Sequence, residues 1–260
     1  MDLQLKGKVI LVTGGAKGIG AAISRVCGNE GALPVIVDRD ADASRRLHAE
    51  LHRAGVLSHI IDCDVSESQN CSSAVGQTIK AFGRLDALVN NAGVNDGVGL
   101  EKGTPEKYIE SLKRNLLHYY DMAHFALPYL KRARGSIVNI SSKTAVTGQG
   151  GTSGYASSKG AILSLTREWA VELLPHGIRV NAVLPAEVMT PLYQQWLNTF
   201  PNPEQKLESI VSRIPFGKRM TGDEEIASTV AFLLSPQSGH TTGQHLYVDG
   251  GYVHLDRALT

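Results

Sequence analysis

Tyr155 and Lys159 stand four residues apart in the stretch YASSK, which spans 155–159. On a helix, residues at this spacing lie one above the other on the same face. A free tyrosine, with a pKa of about 10, is a poor base near neutral pH, but a nearby ammonium group stabilises the phenolate and lowers that pKa. Such a pair can remove the proton of an alcohol while hydride leaves the same carbon. The same spacing is also common on ordinary helix surfaces, so its meaning depends on the rest of the chain.

A glycine-rich turn follows the first apolar run of the chain. Gly14, Gly18 and Gly20 occur in TGGAKGIG at 13–20, between a predicted strand and a predicted helix. Without Cβ atoms, the backbone of such a turn can approach a pyrophosphate at the N-terminus of the following helix. The turn therefore predicts a dinucleotide site, although its spacing differs from the usual fingerprint and a tight strand-to-helix loop has the same composition.

Asp38 supports the nucleotide interpretation. It closes the second predicted strand about 20 residues after the turn, where a carboxylate can accept hydrogen bonds from both hydroxyls of the adenine ribose. A carboxylate repels the 2′-phosphate of NADP, so NAD is the expected cofactor. Lys17 and Arg39 are cations close by in the sequence, and they keep NADP open as the alternative.

Strands and helices are predicted to alternate along the chain. Short apolar runs are typical of strands buried on both faces, and longer stretches with helical spacing separate them. This order predicts right-handed crossovers and a doubly wound α/β fold, which is a Rossmann fold with a central parallel sheet and helices on both faces. The predicted strands are 9–12, 34–38, 85–89, 136–140 and 178–184, with a further strand before Asp64, and the predicted helices are 19–30, 41–54, 66–82, 105–131, 157–174 and 223–234.

A single domain covering residues 1–260 is expected. The chain has 260 residues, of which 42% are hydrophobic, and this length suits one α/β unit. No linker, repeat or low-complexity segment divides it. The irregular region at 190–215 contains four prolines that bracket amphipathic pieces, and it is predicted to form a lid over the edge of the sheet.

Charge and composition exclude several classes of function. The formal charge is +1 and no basic stripe stands out, so nucleic-acid binding is not expected. No apolar stretch approaches the ~20 residues of a membrane helix, and no signal-peptide pattern is present, so a soluble cytoplasmic protein is expected. The three cysteines form no C-x-x-C motif, which fits a reducing compartment. His48 and His52 share a predicted helix face but have no evident third ligand, so no metal site is expected.

The motifs, taken in order, resemble those of the short-chain dehydrogenase/reductase family across essentially the whole chain. The resemblance implies that Tyr155 is the catalytic base and that Ser142 holds the reacting oxygen. It also implies that Lys159 tunes Tyr155 and binds the nicotinamide ribose, while Asn115 holds a water that relays protons. The matching features are TGGAKGIG at 13–20, DV at 64–65, NNAG at 90–93, Asn115, Ser142, YASSK at 155–159 and a proline-led segment at 185–190.

The resemblance further implies a cofactor site at the carboxyl ends of the strands. Asp64 and Val65 would flank the adenine, residues 90–93 would line the cofactor, and Thr190 would bind the nicotinamide carboxamide. A simple turn would also explain 90–93. The expected cofactor residues are Gly14, Lys17, Gly18, Ile19, Gly20, Asp38, Arg39, Asp64, Val65, Asn90, Asn91, Gly93, Tyr155, Lys159, Val188 and Thr190.

The expected substrate is rich in hydroxyl groups. Glu187 follows Pro185-Ala186, where the family ordinarily has Pro-Gly, and a carboxylate beside the nicotinamide is costly unless a polar group meets it. A polar lining suits hydroxyls, and a tryptophan face can cover the apolar side of a sugar ring. Ordinary exposed polar residues are the alternative interpretation of this set. The expected substrate residues are Asn95, Ser142, Lys143, Gln149, Tyr155, Glu187 and Trp196.

Three longer stretches, SSKTAVTGQGGTSGY, PAEVMTPLY and VDGGYVHLDRALT, resemble bacterial sugar dehydrogenases of this family, the L-fucose dehydrogenases most of all. This resemblance implies oxidation of the anomeric hydroxyl of an aldose to a lactone, with NAD or NADP as the acceptor. One alternative is an NADPH-dependent carbonyl reductase for ketoacyl or steroid substrates. Another is a nucleotide-sensing protein that has lost catalysis, and the intact Ser142, Tyr155 and Lys159 argue against it.

An assembly of several subunits is also expected. The predicted helices 105–131 and 157–174 carry apolar residues on more than one face, which indicates burial beyond the sheet. The family resemblance implies a homotetramer built on these two helices. The tail at 252–260 is a candidate for covering the cleft of a neighbouring subunit, a point that the sequence leaves open.

Overall fold

The computed structural model describes residues 2–255, and their framework is one parallel β-sheet. Its strands are β1 (Val9–Thr13), β2 (Leu33–Asp38), β3 (His59–Asp62), β4 (Ala87–Asn90), β5 (Ser136–Ile140), β6 (Arg179–Pro185) and β7 (His245–Val248). They lie in the order β3-β2-β1-β4-β5-β6-β7. This order, with helices on both faces of the sheet, confirms the predicted doubly wound Rossmann fold.

The helices divide between the two faces of the sheet, and this division explains why the first four residues of β1 are apolar. Val9 and Leu11 pack toward one group of helices, while Ile10 and Val12 pack toward the other, and all four side chains are fully buried. The first group contains α3 (Ser68–Phe82), α5 (His118–Ala133) and α6 (Ser153–Glu172), and the second contains α1 (Gly18–Asn29) and α9 (Asp223–Leu234). The remaining helices are α2 (Ala41–Arg53), α4 (Pro105–Leu112), α7 (Pro191–Leu197) and α8 (Pro203–Val211).

The carboxyl ends of the strands bring the predicted site residues to one edge of the sheet. All strand pairs are parallel, so Thr13, Asp38 and Asn90 end their strands at the same edge. The order of the strands reverses between β1 and β4, and in open α/β sheets ligands bind in the crevice at such a point. The glycine turn follows β1 and the NNAG segment follows β4, so both border that crevice.

Several predicted element boundaries were wrong. The helix predicted over 105–131 is interrupted by a π-helical segment, Lys113–Leu117, which separates α4 from α5. The helix predicted from Ser157 begins at Ser153, so Tyr155 lies inside it. The edge strand β7 was not predicted, and its four residues, HLYV, are half-buried. The segment at 190–215 contains the helices α7 and α8, and its role as a lid stays a prediction.

The described residues contain neither a membrane-spanning helix nor a cluster for a metal ion. Within residues 2–255, no helix is long and apolar enough to cross a membrane. Over the same range, His, Cys, Asp and Glu form no group of three or more that could hold a metal. His48 instead shares a hydrogen bond with the Ser58 hydroxyl at 2.8 Å through Nδ1.

Candidate active site

Helix α6 brings Tyr155 and Lys159 onto the same face. Because the helix starts before Tyr155, their four-residue spacing is helical, and the Lys159 Nζ lies 5.5 Å from the centre of the Tyr155 ring. Ser142 comes just after β5, and its Oγ accepts a hydrogen bond from the Thr144 backbone N–H at 3.2 Å. The serine thus caps a short 3₁₀ turn, Lys143–Ala145, and its own hydroxyl hydrogen can still be donated to a substrate oxygen.

Lys159 is a buried ammonium with two identified acceptors. Its side chain is 2% exposed, and Nζ donates to the Ile140 carbonyl at 2.8 Å and to the Tyr119 hydroxyl at 3.0 Å. Burial lowers the pKa of Lys159 to about 7. Burial also raises the pKa of Tyr155, whereas the hydrogen bond with the Ser142 hydroxyl lowers it. Burial therefore opposes the lowering of the Tyr155 pKa that the sequence predicts from Lys159.

Asn115 lies in the π-helical segment and is fully buried. Its Oδ1 accepts from the Val94 backbone N–H at 2.7 Å, and its Nδ2 donates to the Ser111 carbonyl at 3.0 Å. Segments of this kind occur frequently at functional sites. A Cβ on Gly93 would lie 3.1 Å from Asn115 Oδ1 and 3.5 Å from Lys159 Nζ, so the structure places these three predicted residues together.

The glycine positions of the turn after β1 have little room for a side chain. Gly14 and Gly18 have φ values of +59° and +50°, in the left-handed region that favours glycine. A Cβ on Gly20 would lie 2.0 Å from the Gly14 carbonyl oxygen. The first residues of α1 therefore pack directly on the turn, and this close backbone approach fits a pyrophosphate at the helix N-terminus.

The two asparagines after β4 support the crevice from within. Asn91 Nδ2 donates to the Thr13 and Gly14 carbonyls, both at 3.0 Å, and so fixes the glycine turn. Asn90 is fully buried and donates to Asn139 Oδ1 at 3.0 Å. Their side chains are thus engaged with the protein, although both had been predicted to contact the cofactor.

The expected adenosine end of the crevice is acidic. Asp38 accepts backbone hydrogen bonds from Ala16 at 3.1 Å and from Asp40 at 3.0 Å, which fixes its carboxylate beside the glycine turn. The two nearby cations are both paired with carboxylates. Lys17 contacts Asp40 at 2.7 Å, and Arg39 lies 3.5 Å from Asp64. Val65, the other predicted adenine neighbour, is 8% exposed.

Lys143 and Glu187, predicted separately as substrate residues, form a buried ion pair. Their side chains are 11% and 10% exposed. The hydroxyl of Tyr193, on α7, donates to Glu187 Oε2 at 2.6 Å, and Lys143 Nζ lies 4.2 Å from the centre of the Tyr252 ring. Burial lowers the pKa of Lys143 to about 8, and burial together with Tyr252 raises that of Tyr193 to about 12. One polar cluster therefore connects the loop after Ser142, the loop after β6, helix α7 and the chain near its carboxyl end.

The other predicted substrate and nicotinamide residues are more dispersed. Asn95 and Gln149 are exposed, and Asn95 Oδ1 accepts from the Gly97 N–H at 3.3 Å. Trp196 is 42% exposed and stacks edge-on against Tyr193 at 5.1 Å, so its ring lies on the lid. Trp196 thus borders the Lys143 cluster through Tyr193, whereas the hydrogen bond of Asn95 stays within its own loop.

Thr190 and Val188 lie where the lid leaves the sheet. Thr190 Oγ1 caps α7 by accepting from the Tyr193 N–H at 3.2 Å. A Cβ on Gly18 would lie 3.1 Å from Thr190 Cγ2, so the beginning of the lid lies against the glycine turn. Val188 is 4% exposed and forms a β-bridge with Thr221. The tail predicted to reach a neighbouring subunit continues beyond residue 255, outside the described residues.

Known proteins resemble this chain over nearly its whole length. A family model described as enoyl-(acyl carrier protein) reductase matches residues 14–253. The L-fucose dehydrogenase of Oryctolagus cuniculus is 38% identical over 94% of this chain and 84% of its own length. A 3-oxoacyl-[acyl-carrier-protein] reductase of Thermotoga maritima is 34% identical over 96% of this chain and all of its own.

Two solved structures extend the likeness to three dimensions. A structure described as Cj0485 dehydrogenase is 47% identical with a TM-score of 0.94, covering 100% of this chain and 99% of its own. The ligand-free aldohexose dehydrogenase of Thermoplasma acidophilum is 33% identical with a TM-score of 0.86, over 95% of this chain and 94% of its own. The match over nearly the whole chain and the shared fold show that the protein belongs to the short-chain dehydrogenase/reductase family.

Proposed function

We propose that this oxidoreductase is a sugar dehydrogenase that uses NAD to oxidise the anomeric hydroxyl of an L-fucose-like aldose to the lactone. The observation that carries the proposal is the buried ion pair between Lys143, the residue that follows Ser142, and Glu187. It presents fixed hydrogen-bonding groups where an apolar substrate would need none. Relatives named for L-fucose and aldohexose oxidation support the same substrate class.

The chain supplies the proton chemistry of this reaction. Tyr155, as the phenolate, takes the proton of the C1 hydroxyl, and the Ser142 hydroxyl donates a hydrogen bond to the same oxygen. The Lys159 ammonium stabilises the phenolate, and Asn115 supports the route by which the proton reaches solvent. NAD, when bound, accepts the hydride from C1.

The residues at the adenosine end fit NAD. Asp38 is held by two backbone N–H groups, and its carboxylate suits the ribose hydroxyls. The cations that could neutralise a 2′-phosphate are already paired with Asp40 and Asp64. Binding NADP would place a phosphate among these carboxylates, and this unfavourable charge contact supports the preference for NAD.

The buried ion pair explains why hydroxyls suit this site. Removing two charges from water is costly, and their mutual attraction seldom more than offsets that cost. The free-energy cost of burying this pair next to the catalytic serine has a functional reason if the remaining hydrogen-bonding groups of the pair bind the substrate. The Tyr193 hydroxyl on Glu187 keeps the carboxylate oriented, while the exposed Trp196 ring offers an apolar surface for one face of a sugar.

Reduction of a 3-oxoacyl thioester is the second candidate. It is favoured by the similarity to the Thermotoga maritima reductase. An acyl chain, however, would leave the Lys143 and Glu187 groups without new partners and would add apolar surface beside them. Loss of catalysis, with nucleotide sensing retained, is the third, and the assembled Ser142, Tyr155 and Lys159 oppose it.

A homotetramer is part of the proposal. Apolar side chains remain exposed on the π-helical segment and α5, with Leu117 at 47% and Tyr120 at 54%. They border a groove between this region and α6, the pair of helices expected to form the subunit contact. The groove is lined by Leu116, Leu117, Tyr120, Ala161, Ser164, Leu165 and Glu168.

A substrate panel tests the proposed function. The purified protein is assayed with NAD and with NADP against L-fucose, D-arabinose and D-glucose, and separately with NADPH against an acetoacetyl thioester and a ketosteroid. We expect NADH formation with L-fucose-like aldoses and at least about tenfold lower kcat/KM with NADP, a difference that corresponds to about 1.4 kcal/mol. Reduction of the thioester or the steroid without oxidation of any aldose would replace the proposal with the reductase alternative.

A further inference from the structure

Tyr119 is a fully buried phenol that the proposed mechanism does not yet use. It lies on α5, one residue after the fully buried His118, and its side chain is 0% exposed. Its hydroxyl accepts a hydrogen bond from Lys159 Nζ at 3.0 Å and donates one to the Ile140 carbonyl at 2.8 Å. The phenol therefore connects the catalytic lysine to the end of β5.

We propose that Tyr119 is a positioning residue that holds the Lys159 ammonium in its place and in its charged form. The proposal deepens the proposed function and rests on it, because it gives Tyr119 a role only if Lys159 acts on Tyr155. It assigns a residue outside the family motifs that were recognised in the sequence.

The hydrogen bonds around Lys159 support this role. An ammonium group has three donors, and Tyr119 and the Ile140 carbonyl accept two of them, which leaves one for the catalytic side. Because the Tyr119 hydroxyl donates its own hydrogen to Ile140, the phenol oxygen turns a lone pair toward Lys159. Burial raises the pKa of Tyr119 well above its usual value, so the hydroxyl keeps that hydrogen.

The other titratable groups around Lys159 give the ammonium little help. Tyr155 lies beside it on α6, and on α5 His118 is near enough for the Lys159 charge to contribute to lowering its pKa. Burial lowers the pKa of His118 to about 4, so this ring is neutral at working pH. Burial lowers the pKa of Lys159 to about 7, so the acceptors that hydrogen-bond the ammonium are important for keeping it protonated.

Tyr119→Phe isolates the hydroxyl, because the ring volume is preserved. Loss of an acceptor disfavours the ammonium, so the pKa of Lys159 falls further and the lysine loses its proton at lower pH. Turnover needs that ammonium, so we expect kcat to fall several-fold and the alkaline limb of the pH profile of kcat/KM to move down by about one pH unit. Tyr129→Phe removes a phenol hydroxyl from the same helix at a half-buried position and should leave the profile unchanged.

A uniform loss of rate without a shift in the alkaline limb would contradict the proposal and indicate a structural role. Tyr155→Phe distinguishes failure of the proposed function from failure of the role of Tyr119. If Tyr155→Phe retains turnover, the proposed function fails. If Tyr155→Phe is inactive and Tyr119→Phe keeps the native pH profile, only the role of Tyr119 fails.

A thermodynamic cycle gives a test that needs no activity. Tyr119→Phe is compared in the native background and in Lys159→Met, and the melting temperature is measured. If the hydroxyl serves Lys159, the variant lowers the melting temperature less when the lysine is absent. Equal losses in both backgrounds would show that the phenol acts only on Ile140.

Discussion

At the scale of single residues, the proposed class of substrate rests mainly on Lys143 and Glu187. Each has little exposure, and each has a second partner besides the other: the Tyr252 ring for Lys143 and the Tyr193 hydroxyl for Glu187. The pair thus has a fixed orientation before substrate arrives. Preorganised groups of this kind favour ligands whose hydroxyls match them and disfavour ligands that leave them unpaired.

Variants of the pair separate substrate binding from stability. Lys143→Met alone leaves a buried carboxylate without its cation and should destabilise the protein by about 3–5 kcal/mol. The double variant Lys143→Met with Glu187→Leu should recover most of that stability, yet the KM for the aldose should stay raised at least about tenfold, a loss of about 1.4 kcal/mol. Thermal denaturation and steady-state kinetics measure the two effects.

Arg25→Met is the matched control, because it breaks an exposed ion pair with Glu50 on the helical surface. It should change neither KM nor stability by much. If the double variant recovers its aldose KM together with its stability, the pair has a structural role and does not bind substrate.

The sequence predicted some of these residues and not others for a physical reason. The proximity of Tyr155 and Lys159 follows from their four-residue spacing on a helix, whereas the place of Ser142 was implied by the family resemblance. Tyr119 and Tyr193 act through hydroxyls that meet groups 40 and 6 residues away. No local pattern shows which partner a helical tyrosine reaches, so these contacts became visible only in the structure.

At the scale of elements, the close packing between the turn after β1 and the start of α1 shapes the proposed nucleotide site. The turn at 14–20 packs against the chain after β4, since a Cβ on Gly14 would lie 2.9 Å from Ala92 Cα. Asn91 fixes the same turn through two hydrogen bonds. The turn proposed to hold the pyrophosphate is therefore fixed by contacts within the protein itself.

Gly20→Ala tests this packing between the turn and α1. Its Cβ would overlap the Gly14 carbonyl oxygen, so the turn must move, and we expect the protein to lose about 1–3 kcal/mol of stability and to bind NAD at least about tenfold more weakly. Gly76→Ala, in the interior of α3 with no atom within 4 Å of the new methyl group, should instead stabilise by about 0.5–1 kcal/mol. Unchanged NAD affinity in Gly20→Ala, measured by fluorescence titration, would contradict the assignment.

Element boundaries were predicted less well than element types. Alternating apolar runs gave the sheet, but the π-helical segment at Asn115 adds a local widening that helical periodicity over 105–131 does not reveal. Helix α6 begins with Ser153 and Gly154, which carry no apolar signal and hide its true start. Both differences lie beside the candidate catalytic residues, and functional sites are where local sequence patterns are expected to predict structure less well.

At the scale of the whole molecule, the exposed groove between the π-helical segment and α6 accounts for the proposed assembly. Leu117→Glu would place a charge in the centre of that contact, and we expect a smaller particle in light scattering at working concentration. Leu57→Glu changes a side chain that is 68% exposed and lies outside the groove, so it should leave the mass unchanged. A native protein of monomer mass would contradict the tetramer.

The central claim is that hydride leaves C1 of an L-fucose-like aldose for NAD. L-Fucose labelled with deuterium at C1 tests it directly, with mass spectrometry of the NADH and of the sugar product. The account predicts one deuterium in the reduced cofactor and a lactone, or its hydrolysed acid, that has lost the label. Unlabelled NADH, or a sugar product that keeps its C1 deuterium, would contradict it.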